Sequence, residues 1–336
     1  MRILKKASWL VALGLMVSIS GKAQTDITEL LKLYERASKD VTLIAYEYMK
    51  PFGEEFGKTL NTGWYTSAKP HKLGGFDITF SATAIPISSK MKSFELSKLN
   101  LTELGYAQGA TSPTVLGKDV DGAEVYLKAN PATRMNLPQG SNIPVLPMVN
   151  YNIGVGLPFH TDVAIRFVPK ISIKDDGKFG MWGFGIRNEF KEFIPVFKLL
   201  PFSMSAFFGM TKYNLSWDLK DNDYANKAYK DQKLSTDATS YTARLLVSKS
   251  IPVLTVYGGL GYNSNSSDYK LKGHYQYANS PLPPYQMVDP FNLSYTSTGF
   301  VANAGFRVKL AVFMLFADYT YANTSMYTAG MGFTFR

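Results

Sequence analysis

Through most of the chain from Phe76 onward, apolar side chains recur at every second position, and this period points to strands. Phe76, Ile78, Phe80, Ala82 and Ala84 alternate with Asp77, Thr79, Ser81 and Thr83. The pattern returns in Val149–Leu157, Trp182–Ile186, Phe202–Met210, Tyr241–Val247, Leu254–Leu260, Phe300–Val308, Phe313–Tyr321 and Tyr327–Phe335. Soluble sandwiches alternate too. Here the apolar faces are large and almost free of charge over eight or nine consecutive strands. Strands of about ten residues, apolar on one face only, are the mark of a transmembrane β-barrel. Beyond residue 23 no segment reaches 18 consecutive apolar residues, so membrane helices are not expected. Abundant Tyr (21) and Phe (22), with a mean hydropathy of only −0.08, fit a wall that is apolar on one side.

The predicted fold is an all-β membrane protein, a closed antiparallel transmembrane barrel of about 12 strands (10–14). The uncertain stretch is 88–147, where Phe94, Leu96, Val115, Val125 and Leu127 suit either two short strands or a long folded-in loop. Pro169 removes a ladder donor and predicts a bulge or a strand end. Trp182, Tyr213, Trp217, Tyr262, Tyr319 and Tyr327 are read as interfacial girdles. Counting back from a periplasmic C-terminus puts the short joins at 249–252 and 309–311 inside and the long ones at 217–237 and 265–295 outside, the asymmetry such barrels show. Phe190–Leu200 then lies at the periplasmic rim.

The N-terminus reads differently. Arg2, Lys5 and Lys6, an apolar run from Ala7 to Ile19 and small residues at Gly21 and Ala23 predict a signal peptide over 1–23. Its removal takes four basic residues and lowers the net charge from +10 to +6. With no Lys/Arg block interleaved with aromatics, a nucleic-acid partner is not expected. Residues 24–72 form a helical plug segment ahead of the barrel at 73–336. Asp26 with Glu29 makes a capping box, Asp40 caps a second helix bearing Val41, Ile44, Ala45 and Tyr48, and Pro51 stops it. Both termini are placed in the periplasm of a Gram-negative cell.

Little in the chain suggests chemistry. Cysteine is absent, and His71, His160 and His274 share neither a strand face nor a metal-ligand spacing. No catalytic residue, cofactor or metal is assigned, and the protein is not read as an enzyme. By strand parity Asp77, Arg166, Arg187, Glu189, Arg244, Arg307 and Asp318 point into the lumen. Two readings stay open: a charged pore wall that steers a solute, or an interior whose arginines pair with carboxylates and the N-terminal helices. Inward glycines (Gly154, Gly156, Gly183, Gly185, Gly259, Gly330, Gly332) mark either another backbone close by or relief of strain in a tightly curved wall. From these, residues 25–62 are expected to plug the periplasmic mouth. Outer-loop aromatics and prolines (Tyr224, Tyr229, Tyr275, Tyr277, Pro281, Pro283, Pro284, Tyr285) suit an entrance or a cover.

The run from Gly63 through Trp64, Tyr65, Ala68, Pro70, His71, Gly74, Gly75 and Phe76 to Asp77 resembles the hallmark of an uncharacterised family of Gram-negative outer-membrane barrels. The run Gly185–Phe190 through Pro195 to Leu200, Pro201 and Phe202 is similar to that family too. More distantly, a helical segment before a barrel resembles the outer-membrane long-chain fatty-acid transporters, although this chain is shorter and lacks their hatch sequence. The resemblance implies a passive channel for a small hydrophobic solute. The alternative is a structural or ligand-binding protein that displays its outer loops and has no open pore. Outer-membrane lipids and the barrel assembly machinery are the expected partners.

Overall fold

The computed structural model describes residues 31–173, 177–218, 232–276 and 286–335. The signal peptide, the Asp26/Glu29 box and the loop residues Tyr224, Tyr229, Tyr277, Pro281, Pro283, Pro284 and Tyr285 lie outside the described residues.

Ten strands close the barrel, not about 12. They are β1 (Phe76–Pro86), β2 (Val145–Leu157), β3 (Thr161–Ile173), β4 (Gly177–Glu189), β5 (Ser203–Asp218), β6 (Lys233–Ser250), β7 (Leu254–Lys272), β8 (Phe291–Leu310), β9 (Phe313–Tyr321) and β10 (Ser325–Phe335). Each pairs antiparallel with its sequence neighbour, and β1 closes the ring against β10. Stepping around the ring by ladder partners, a path leaving β8 at Thr298 returns to it at Leu310, a stagger of 12 residues. Such a stagger tilts the strands by about 40° to the barrel axis. The bulge on β3 falls between Val168 and Ile171, around Pro169.

We call the end holding Phe335 the near mouth and the opposite end the far mouth. At the near mouth the joins at 158–160, 251–253 and 311–312 are tight, and only 190–202 is longer. At the far mouth β5 to β8 run 16 to 20 residues, whereas β9 and β1 have 9 and 11. The long strands change character partway up. On β6 the outward row Val247, Leu245, Ala243, Tyr241 continues as Thr239, Asp237, Ser235. On β7 the row Val256, Leu260, Tyr262 continues as Ser264, Ser266, Asp268, Lys270. The inward row inverts at the same height: polar Thr242 and Arg244 lie near, while Tyr269, Leu271, Phe291, Leu293 and Tyr295 lie far. Tyr213 and Trp217 belong to this far interior, not to an interfacial girdle, because the wall there must bury a helix.

That helix is α1 (Leu31–Thr59), kinked at Ala37, which has non-helical torsions. Val41, Ile44, Ala45, Tyr48, Met49, Phe52 and Phe56 form its buried stripe at helical spacing. Each such side chain taken out of water contributes roughly 1.5–3 kcal/mol. Pro51 does not end the helix, which continues through Gly53 and Gly57. An interior proline costs about 3 kcal/mol, and here burial of Phe52 and Phe56 (stacked rings, 5.3 Å apart) offsets it. Gly53 is needed for approach: a Cβ there would lie 2.4 Å from the Tyr295 ring.

Residues 87–144 are not barrel strands. They fold into a cap of short strands, with Ser93–Glu95 paired to Thr111–Pro113, and Leu104–Tyr106, Glu124–Leu127 and Asn130–Asn136 in a second sheet. Leu96, Leu104, Val115, Leu116 and Val125 pack in the same apolar core as α1 and the far strand ends. Asp40 is not a helix cap. Its carboxylate accepts the backbone N–H groups of Thr102 (3.1 Å), Glu103 (2.7 Å) and Leu104 (2.8 Å), tying the cap to α1. Burial works against that charge, but the three donors outweigh it and hold the Asp40 carboxyl below its usual pKa.

The plug also enters from the unexpected side. Near the start of α1, Tyr34 donates to the Pro290 carbonyl (2.8 Å) and sits edge-on to Phe291, at the far tip of β8. The helix therefore fills the far half of the barrel, not the mouth beside the C-terminus.

Candidate functional site

Below α1 the chain unwinds, and residues 60–75 run as a strap through the polar near half of the lumen before entering β1. Before Gly74 the strap makes no ladder bond with the wall, whose backbone groups there are already spent. Its own carbonyls must therefore find donors on side chains, and a guanidinium offers several in a fixed fork.

Arg166 carries the most. Fully buried, it donates to the carbonyls of Leu60 and Thr62, both at 2.7 Å, and through Nε to Asn152 (2.9 Å), while its plane lies 3.9 Å from the Trp64 ring. Arg244 donates to the Asn61 carbonyl (2.8 Å) and the Tyr65 hydroxyl (3.0 Å), and that hydroxyl donates to Asn303 (2.6 Å). Arg187 reaches the Ser67 carbonyl and pairs with Asp162. Arg307 donates to the Thr66 hydroxyl at 3.3 Å. Ser205 and Ser248 hold Ala68 by its carbonyl and its N–H, and Asn152 donates to the Gly63 carbonyl.

The sequence-selected polar residues thus fall into three groups. Arg166, Arg187, Arg244 and Arg307 clamp the strap. Asp77 and Asp318 stand beside it, Asp77 binding His71 (3.2 Å) and Asp318 accepting from Asn303 (2.6 Å). Glu189 is buried on β4 close to the near mouth. The arginines meet mostly strap carbonyls rather than carboxylates or helices. Parity could not supply that, because it says which way a side chain points and not what waits there. Alternation sets Asn152 and Asn303 on the polar face without marking them as site residues, and Asp162 was missed, although the same alternation was the available signal.

The Gly63–Asp77 motif is this strap. Gly63 has φ +66°, and a Cβ would meet the Ser81 hydroxyl at 2.7 Å. Trp64 and Tyr65 are its aromatic anchors, each against Phe207; Ala68 and Pro70 are buried. Gly74 and Gly75 exchange backbone bonds with Gly156, where a Cβ would lie 2.2 Å from the Lys72 carbonyl. Gly183, Gly185 and Gly259 likewise face Trp64 or Tyr65, whereas Gly330 and Gly332 face neighbouring wall strands.

At the near end, His71 sits between Asp162 (Nδ1, 3.0 Å) and Asp77 (Nε2, 3.2 Å). Burial alone would push the imidazole down, but the two carboxylates outweigh burial and hold its pKa above the ordinary histidine value. A raised folded-state pKa stabilises fully below the unfolded value of about 6.5 and is lost as pH rises through the folded one. Wild type should therefore lose stability more steeply than His71→Gln as pH rises above about 6.5. Denaturant midpoints in micelles give both slopes, and parallel slopes would refute the anchor. Among the described residues no group of His, Asp and Glu is arranged to hold a metal.

A crevice beside the anchor, lined by Trp64, Tyr65, His71 and Asp162 among others, has about 20 Å³ of free volume, room for roughly one water. Arranged this way, the site fixes a strap across the near half of the lumen.

No curated protein matches the sequence. Several solved β-barrels align with the fold. Ail, the attachment invasion locus protein of Yersinia pestis, is 9% identical with a TM-score of 0.27, covering 78% of this chain and 99% of that one. The translocator domain of autotransporter NalP from Neisseria meningitidis is 12% identical at 0.31, covering 87% and 96%. The β domain of the Bordetella autotransporter BrkA is 12% identical at 0.37, covering 79% and 100%. These scores carry no function across, and the resemblance to fatty-acid transporters finds no support in them. Sequence comparison goes further: residues 1–335 match the family of unknown function DUF6588, and the chain belongs to it.

Proposed function

We propose that the protein is an outer-membrane barrel, kept closed by its own N-terminal segment, that presents the 87–144 cap and the far ends of β5 to β8 at the cell surface. Support for the membrane comes from the outward apolar belt, where Phe184, Ile165, Leu245, Leu260, Phe300, Phe306 and Phe333 are all exposed. Side chains of that kind need acyl chains, not water, around them. Tight joins at the near mouth support an orientation with that end, and the C-terminus, in the periplasm. The observation that carries the closed reading is the arginine-clamped strap, stacked below a packed apolar core. Passage of a small hydrophobic solute would require both to move.

Reconstitution in planar bilayers tests this. The intact protein is expected to give no steady conductance, and an epitope placed in the Lys128–Asn130 turn should be stained on intact cells. Sustained open-channel currents from wild type would overturn the closed reading in favour of a passive channel.

A further inference from the structure

The wall is not continuous in its far half. β8 pairs with β7 from Val308 up to Phe291, but with β9 only from Leu310 to Ala302. Above Ala302 the β9–β10 hairpin has turned back at Ala322–Thr324. A crevice opens at this step, lined from outside by Phe300, Thr298 and Asn323 and from inside by Lys58, Asn263 and Asn265. It encloses about 200 Å³ counting its open mouth, of which about 10 Å³ is free, the room of one hydroxyl.

Among the described residues two buried asparagines, Asn150 and Asn263, have no partner for either amide atom, and Asn263 is the one that lines this crevice. Its side chain is 98% buried, since its relative exposure is 2%, yet neither Nδ2 nor Oδ1 has a partner. A buried amide without bonds is costly, and native structures rarely keep one without use. Lys58 brings no free charge, because Glu55 neutralises it at 2.6 Å. The crevice therefore offers a neutral donor and acceptor at its floor. At its lip stands Phe300, 84% exposed and edge-on to Tyr262 at 5.6 Å. An aromatic face beside paired amide groups suits a ring with hydroxyls on its rim and C–H bonds on its face.

We infer that this step in the wall binds a neutral sugar, with one hydroxyl inserted onto Asn263 and the ring laid against Phe300. Phe300 and Tyr262 also mark the upper edge of the apolar belt, so a sugar carried on an outer-leaflet lipid reaches the crevice without leaving the membrane. Only that last point rests on the proposed membrane placement.

The test is saturation-transfer NMR on the full chain in dodecylphosphocholine micelles, with free glucose in one arm and octyl glucoside in the other. Wild type is expected to transfer magnetisation to sugar protons, and Asn263→Leu to reduce it about tenfold, the weight of one or two hydrogen bonds. Asn263 has no partners to lose, so this variant should melt no lower than wild type. Phe300→Ala, on the outer surface, provides a second variant and should weaken transfer as well. A response to glucose alone supports a free-sugar site, and a response only to the alkyl glycoside supports a lipid headgroup. Equal transfer to wild type and both variants in both arms overturns the inference, whatever the bilayer recordings show.

Discussion

Replacing Arg166 with alanine should lower the stability of the folded barrel by about 3–5 kcal/mol. The guanidinium is fully buried and serves two strap carbonyls, Asn152 and the Trp64 ring at once. Truncation leaves the Thr62 carbonyl without that donor in a space that water enters poorly, and Leu60 keeps only Thr211 at 3.1 Å. Each stranded acceptor costs about 1–3 kcal/mol. Arg166→Lys is the informative companion. An ammonium can reach one carbonyl but cannot reproduce the fork, so its loss should fall between wild type and alanine. Denaturant titration in micelles followed by tryptophan fluorescence measures both. A change below about 1 kcal/mol for alanine would mean that the strap is held by other contacts.

The second large effect is expected at Ile44→Asp. Ile44 is fully buried in the core shared by α1, the cap and the far strand ends. A carboxylate there has no partner, so the cost should exceed about 4 kcal/mol, the range reserved for buried unpaired charge and lost packing. It should act locally. The cap and helix lose their common core, while the ten-strand ladder near the C-terminal end keeps its bonds. Limited trypsin digestion should therefore cut within 87–144, at Arg134 and Lys128 first, and leave a protected barrel fragment. Uniform digestion of cap and wall together would show that the two halves are one cooperative unit.

Much of the near half could be read from residue order. A strand that faces lipid on one side and a polar interior on the other must alternate, so Asp77, Arg166, Arg187, Arg244 and Arg307 could be assigned inward by counting. The far half could not. There the strands leave the belt, and Tyr213, Trp217, Tyr269 and Tyr295 take the inward positions that polar groups occupy lower down. The period stays at two while the meaning of each face reverses, and periodicity alone cannot register a reversal. The cap stayed undecided between barrel strands and a folded-in loop for a related reason: its strands of three to seven residues pair over too few positions to leave a pattern. Pro51 misled because helix-stop rules describe exposed helices, and this one is encased. The strap was visible as a motif, but most of its partners lie 80 to 240 residues away.

One consequence follows from the inversion of the wall partway up β6 and β7. In the proposed membrane placement the chain lives in two solvents, and water drives only one of its cores together. The belt region gains nothing from leaving water that acyl tails would not supply equally, whereas the far core is a water-made interior like that of a soluble domain. The heat-capacity increment of unfolding, which tracks apolar surface returned to water, will therefore belong largely to the cap, α1 and the upper strands. Heat, cold and urea should all act first on that storey, and lipid composition on the one beneath it.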